Sequence, residues 1–177
     1  MNKKLKLEEL NRLSISEYNN SKKDPIIIIL DNIRSLNNVG SIFRTCDGFA
    51  VEKLILCGFT PQPPHREIRK TAIGASESVN WEYAKTTNQA IESCKFQGYD
   101  CFAVEQTKNS VFLNKINLEN KKIALIFGNE VDGVSQDSID LCKGAIEVPQ
   151  WGTKHSFNVS VSVGIVLWEI KKSITLI

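Results

Sequence analysis

Five short apolar runs punctuate the chain, at residues 26–30, 53–57, 100–104, 123–127 and 145–148. Each has the length and the β-branched or aromatic content of a strand. Between them lie polar-apolar segments with helical spacing. The clearest is 87–96, which puts Ala90, Ile91 and Cys94 on one face and meets a stop at Gly98. Strands alternating with helices predict an α/β fold, a parallel sheet flanked by helices on both faces. Ahead of the first run, residues 1–23 are polar and rich in Lys and Asn, with Leu7, Leu10 and Leu13 at helix-like spacing and Asp24-Pro25 as the break. They read as an N-terminal helical arm preceding one domain over 24–177. The last segment, 158–172, fits two patterns. Val159, Val161 and Val163 alternate as in a strand, whereas Val159, Val163, Val166 and Ile170 share a helical face. Ser160 and Gly164, four apart, permit close helix packing, and the expectation is a helix.

In a parallel sheet, ligands bind outside the carboxyl ends of the strands, so the loops after each strand are where chemistry is sought. Three of them are polar and contain glycine: 31–40, 128–133 and 149–158. Together they predict a pocket on one edge of the sheet. Composition narrows the picture without deciding it. At 177 residues, 42% hydrophobic and 24% charged, the chain can build one substantial core. No apolar run approaches the ~18 residues of a membrane span, and the N-terminus lacks the hydrophobic centre of a secretory signal. A soluble, cytoplasmic protein with no membrane partner is expected. The five cysteines are odd in number, widely spaced and free of any C-x-x-C pair, which predicts buried reduced thiols. A net charge of +2 is too small to announce a nucleic-acid partner by itself.

Familiar chemistries fall away on inspection. The dinucleotide fingerprint G-x-G-x-x-G is absent. Gly128 and Gly133 have the spacing of a phosphate loop, but Val134 stands where the phosphate-binding Lys is required. No G-x-S-x-G elbow occurs, and His65 and His155 are the only histidines, so a hydrolytic triad finds little support. No metal site is expected, since no His pair has ligand spacing and the carboxylates are scattered. What remains is a pocket of Asn, Ser and Gly with one Glu and one Arg, suited to a cofactor held by backbone groups.

The stretch from Asn38 through Gly40 and Arg44 to Thr45 resembles the first motif of the SpoU family of RNA 2'-O-ribose methyltransferases. Residues 126–133, containing Gly128-Asn129-Glu130, are similar to the second motif, and Val148-Pro149 through Ser156-Phe157-Asn158 to the third. All three occur in the family's order, over roughly residues 26–172. The resemblance implies a SPOUT-type fold with a C-terminal deep trefoil knot, S-adenosylmethionine as cofactor, a tRNA or rRNA substrate, a homodimer with the last helix in its interface, and no metal. The knot rests on this resemblance alone, because unknotted connectivity is the prior for an α/β chain.

The resemblance also assigns roles. Arg44 matches the motif arginine. A guanidinium has five donors and no acceptor, so holding a phosphate or a developing alkoxide suits it better than taking a proton. Glu130 stands where a carboxylate orients Arg44 or accepts from the substrate, with Asn38, Ser156 and Asn158 completing the catalytic set. Asn38 would equally serve as N-cap of a helix over 39–49, and Asn158 as cap of the last helix. The family's backbone contacts to the cofactor map onto Val104, Gly128, Val148, Ser156 and Phe157. The basic run at His65, Arg66, Arg69 and Lys70 is the local candidate for RNA phosphate, or else a solvated helix start. Lys3, Lys4, Lys6, Lys22 and Lys23 would add to that surface. A knotted RNA-binding or assembly protein without catalysis is the alternative of a different class, and a base-nitrogen methyltransferase the alternative within the fold. The presence of Asn38, Arg44, Glu130 and Asn158 argues against the first, and the motif set resembles the ribose-modifying branch.

Overall fold

The computed structural model describes residues 2–116, 118 and 122–174. Met1 of the expected arm and residues 175–177 of the expected domain lie outside them. Seven strands form one sheet in the order β3-β2-β1-β6-β4-β7-β5: β1 (Asp24–Asp31), β2 (Val51–Cys57), β3 (Trp81–Ala84), β4 (Asp100–Val104), β5 (Val111–Phe112), β6 (Ile123–Gly128) and β7 (Gly144–Glu147). Every pairing is parallel. The five expected strands are present within one residue of their predicted ends, except that β1 and β2 begin two residues early. β3 and β5 went unread because they are short and sit at the two edges, where Glu82, Tyr83, Val111 and Phe112 stay exposed and leave no apolar run.

The unbroken Ile-Ile-Ile-Ile-Leu run of β1 is what a central parallel strand requires, since both its faces are covered. Ile26, Ile28 and Leu30 face one layer with Leu54, Leu125 and Phe127. That layer holds α2 (Leu36–Gly48), α3 (Arg66–Ala72), α4 (Ala75–Ser78) and α7 (Val159–Ile174). Ile27 and Ile29 face the other, with Ile55, Ala124 and Ile126 under α5 (Thr87–Phe96) and α6 (Gln136–Leu141). Each fully buried isoleucine contributes about 1.5–3 kcal/mol, so this one strand is a large part of the core. α5 spans the predicted residues. The ambiguous C-terminal segment is a helix, with Val163, Val166 and Ile170 fully buried and Gly164 turned toward Thr45 of α2. Tertiary burial of the 3.6-residue face overrides the strand-like valine alternation.

One expectation gains detail and one is corrected. The arm is two short elements, a 3-10 turn (Leu7–Leu10) and α1 (Ile15–Asn20), separated by Asn11 in the left-handed region. Its leucine spacing does not mark one apolar face: Leu10 and Leu13 are exposed, and the side chain of Leu7 lies outside the described residues. What anchors the arm is Tyr18, buried, with its hydroxyl donating to Asp47 O at 3.2 Å. The cap of α2 is Ser35, whose Oγ accepts Asn38 N–H at 3.3 Å, so Asn38 lies inside the first turn and its side chain is free for other work. All five cysteines are free thiols, four of them buried. Burial pushes Cys57, Cys94 and Cys101 up to about 12, far from a reactive thiolate.

β1 and β6 are neighbours, yet the chain leaves β1 for α2 on one face and β6 for α6 on the other. Such a divergence opens a crevice at the carboxyl edge of the sheet.

Candidate active site

At that crevice a helix start meets a carboxylate. The backbone N–H groups of Arg34 and Ser35, just ahead of α2, donate to Glu130 at 3.0 and 3.2 Å, and Asn38 Nδ2 donates to its Oε1 at 2.8 Å. A negative charge is favoured where the first N–H groups of a helix lack intrahelical partners. Glu130 is presented by a tight turn in which Asn129 Oδ1 accepts Val131 and Asp132 N–H, both at 2.9 Å, while Asn129 and Gly133 exchange backbone bonds. Gly128 is required beneath it: a Cβ there would sit 1.9 Å from the Gly133 carbonyl carbon and 2.1 Å from Val134 N. Burial raises the Glu130 pKa, but the bonds from Arg34, Asn38, its own N–H and Ser35 outweigh that and hold it below the usual carboxylate value of 4.5.

The third segment joins from α7. Asn158 caps that helix, its Oδ1 accepting Ser160 N–H at 2.9 Å and Ser160 Oγ–H at 2.6 Å. With its oxygen so occupied, Asn158 Nδ2 donates to Asn38 Oδ1 at 3.1 Å, and Asn38 in turn donates to Glu130. The result is a one-way chain of donors, Ser160 to Asn158 to Asn38 to Glu130, that fixes both amide orientations and ties residues 120 positions apart.

Beside this junction lies a cleft of about 520 Å³ over the ends of β4, β6 and β7. Val104, Gly128, Val148, Ser156 and Phe157 all line it, as do Glu130 and Asn158. Sequence reasoning missed Glu105 and Gln106, which also line it. Glu105 accepts Val134 N–H at 3.0 Å and Gln106 N–H at 2.8 Å, and Gln106 Nε2 donates to His155 O at 2.6 Å, holding the loop 149–157 across the opening. Gln150 Nε2 donates to the same carbonyl at 3.3 Å. Their signal was position alone, the first two residues after a strand.

The remaining expected site residues lie elsewhere. Arg44 is exposed on α2, outside the cleft lining, and among the described residues it has no hydrogen-bond or ion-pair partner. Glu130 therefore does not orient Arg44 here; its carboxylate is taken up by the start of α2. His65, Arg66, Arg69 and Lys70 form the exposed start of α3. His65 Nδ1 accepts Glu67 N–H at 3.2 Å, and Ile68 points into the core. The run is a solvated helix start in this structure, and a helix start and a phosphate-binding surface are compatible. Among the described residues no three His, Cys, Asp or Glu side chains converge as metal ligands, and no helix is long and apolar enough to cross a membrane.

The profile of the SpoU rRNA Methylase family matches residues 25–168. An uncharacterized tRNA/rRNA methyltransferase of Borreliella burgdorferi is 31% identical over 176 residues, 99% of this chain and 76% of the relative. A tRNA (guanosine(18)-2'-O)-methyltransferase of Aquifex aeolicus is 28% identical over 89% of this chain and 74% of its own length. The crystal structure of the A. aeolicus TrmH/SpoU tRNA modifying enzyme superposes with a TM-score of 0.80 at 26% identity, covering 90% of this chain and 80% of that one. An AdoMet-bound rRNA methyltransferase from Sinorhizobium meliloti shares the fold, with a TM-score of 0.77 at 24% identity over 87% of this chain and 58% of its own.

Proposed function

The chain belongs to the SpoU rRNA methylase family, and from that premise we propose that it transfers the methyl group of S-adenosylmethionine to a ribose 2'-hydroxyl of tRNA or rRNA. The observation that carries this reading is the junction of Asn38, Glu130 and Asn158 at the mouth of the cleft. The cleft fits a nucleoside cofactor. Its volume is in the ordinary range for small-ligand pockets, Phe127, Ile146 and Val159 give it an apolar floor, and the ends of three strands bring backbone groups to it. Val104, Gly128, Val148 and the Ser156-Phe157 turn would hold the adenosine. When bound, the cofactor supplies an electrophilic methyl group on a positively charged sulfur.

The rest is positioning. The ribose oxygen must lie within about 3–3.5 Å of the methyl carbon and in line with the bond that breaks, and a pre-ordered polar junction provides that orientation. Asn38 and Asn158 lock Glu130, whose unused lone pairs accept a hydrogen bond from the 2'-hydroxyl. The hydroxyl proton grows more acidic as the new C–O bond forms, so a carboxylate of low basicity suffices to receive it. Arg44, exposed and without a partner among the described residues, holds a phosphate of the same RNA, and His65, Arg66, Arg69 and Lys70 extend the phosphate contacts.

The same reading includes a homodimer through the outer face of α7, where Val161 and Trp168 are 49% and 58% exposed. It also includes a trefoil knot formed by the C-terminal segment, an arm over 1–23 ahead of a methyltransferase domain over 24–177, and a cytoplasmic site of action. Light scattering of Trp168→Glu tests the dimer, with a monomer expected. A density-traced crystal structure tests the knot, and a C-terminal segment that threads no loop would refute it.

The functional test is incubation of the chain with labelled S-adenosylmethionine and separate tRNA and rRNA pools, followed by nucleoside analysis. A 2'-O-methylnucleoside is expected. Arg44→Ala should abolish labelling and leave cofactor binding by calorimetry nearly intact. Absence of cofactor binding at millimolar concentration would instead favour an inert RNA-binding protein, and a base-methylated product the base-nitrogen branch.

A further inference from the structure

Two loops at the carboxyl edge of the sheet are stitched together beside the Glu130 junction. Asn32, at a φ of 55°, accepts Phe59 N–H on its Oδ1 at 3.2 Å and donates from Nδ2 to Asp31 at 2.8 Å. Thr60, buried, donates to Leu30 O at 3.2 Å and accepts Ile33 N–H at 3.0 Å. Gly58 permits this closeness, since a Cβ there would lie 2.1 Å from Asn32 Oδ1. The backbone of Phe59 is thus held from both sides while the residue remains 59% exposed. The Arg34 guanidinium stands 6.0 Å from the ring centre, and the same residue's N–H holds Glu130. The loop then runs on to Arg66 and Arg69, exposed and, among the described residues, without ion pairs.

An exposed aromatic on a pinned backbone, with beside it the arginine whose N–H holds Glu130, on a loop that leads to Arg66 and Arg69, has the chemistry that receives an unpaired nucleobase. A protein-docking face would present a contiguous apolar patch. Here Phe59 is flanked in the chain by a glycine and a buried threonine, and beside its ring stands Arg34, itself paired with Asp132. That pair spans 3.4 Å with both side chains more than half exposed, so it exchanges readily for a phosphate. We propose that Phe59 and Arg34 form a stacking platform for a base next to the nucleotide whose ribose is methylated. This rests on the RNA methyltransferase reading above and adds to it a residue that selects single-stranded substrate.

The experiment follows the fluorescence of a short single-stranded RNA carrying 2-aminopurine as the full chain is added. Wild type should quench it. Phe59→Ala should bind about 5- to 150-fold more weakly and lose the quenching, with S-adenosylmethionine affinity unchanged, and Phe59→Tyr should restore both. Arg66→Ala should weaken binding and flatten its salt dependence while quenching persists. Unchanged affinity and quenching in Phe59→Ala would overturn the platform while the methyltransferase reading stands. So would equal rescue by Phe59→Leu, which points to apolar packing alone, and so would loss of cofactor binding or a changed oligomeric state. If wild type binds neither RNA nor cofactor, both readings fall.

Discussion

Asp31 and Glu130 sit at or just past the ends of adjacent strands, and each carboxylate accepts three hydrogen bonds, Asp31 from three separated positions and Glu130 from the single segment 34–38. Asp31 takes Thr87 Oγ1–H at 2.6 Å, Asn32 Nδ2–H at 2.8 Å and Ser135 N–H at 3.1 Å, and is only 2% exposed. Glu130 takes Arg34 N–H, Ser35 N–H and Asn38 Nδ2–H, and stays exposed. The two anchor opposite ends of one loop, residues 130–135. Buried and enclosed by its own protein, the first has nothing left for a ligand and serves the scaffold. The second spends the same kind of bonds on orientation and keeps a face open to the cleft. Equal bonding with unequal exposure separates an acid enclosed by the scaffold from one that a ligand can reach.

Removing each acid should therefore fail differently. Asp31→Ala removes the acceptor of the buried Thr87 hydroxyl and of the Ser135 N–H and should cost about 1–3 kcal/mol in urea denaturation, with activity lost only as the fold is lost. Glu130→Ala should lower methyl transfer by about 100-fold or more while the denaturation midpoint moves less than in Asp31→Ala. If Glu130→Ala unfolds the protein instead, the contrast is wrong.

The pH dependence sharpens the same point. The Glu130 pKa is depressed in the folded state, so its contribution is fully present above the ordinary carboxylate value of 4.5 and disappears as pH falls through the lower folded value. Stability measured from pH 7 downward should show that acid-side loss in wild type and lack it in Glu130→Gln. The smallest effect is expected at the amide pair: a double-mutant cycle of Asn38→Ala and Asn158→Ala should give a coupling of about 0.5–1.5 kcal/mol in methyl transfer, and additivity would mean the 3.1 Å contact transmits nothing.

How much of this was legible depended on whether the cause was local. Residues 26–30 announce a central strand because burial on both faces demands unbroken β-branched residues. Residues 87–96 announce a helix because a 3.6-residue apolar face and a Gly98 stop are local properties. The three polar loops were likewise visible as loops after strands, and the motif resemblance drew attention to Asn38, Glu130 and Asn158.

The cap of α2 was misassigned because Ser35 and Asn38 are both good caps and only the geometry chooses between them. Glu105, Gln106 and Phe59 carry no motif, and the partner of Glu130 was misjudged because Arg44 and Asn38 share one segment. By itself, then, the order of residues determined the five inner strands, the helix at 87–96, the parallel sheet and the edge where chemistry gathers, since those follow from periodicity and turn chemistry within a few residues. Only the tertiary structure decided which of two acids is buried, which amide faces which carboxylate across 120 residues, and which aromatic stays in water. Burial and hydrogen-bond pairing at that range depend on how strands stack in the sheet, and no local pattern encodes it.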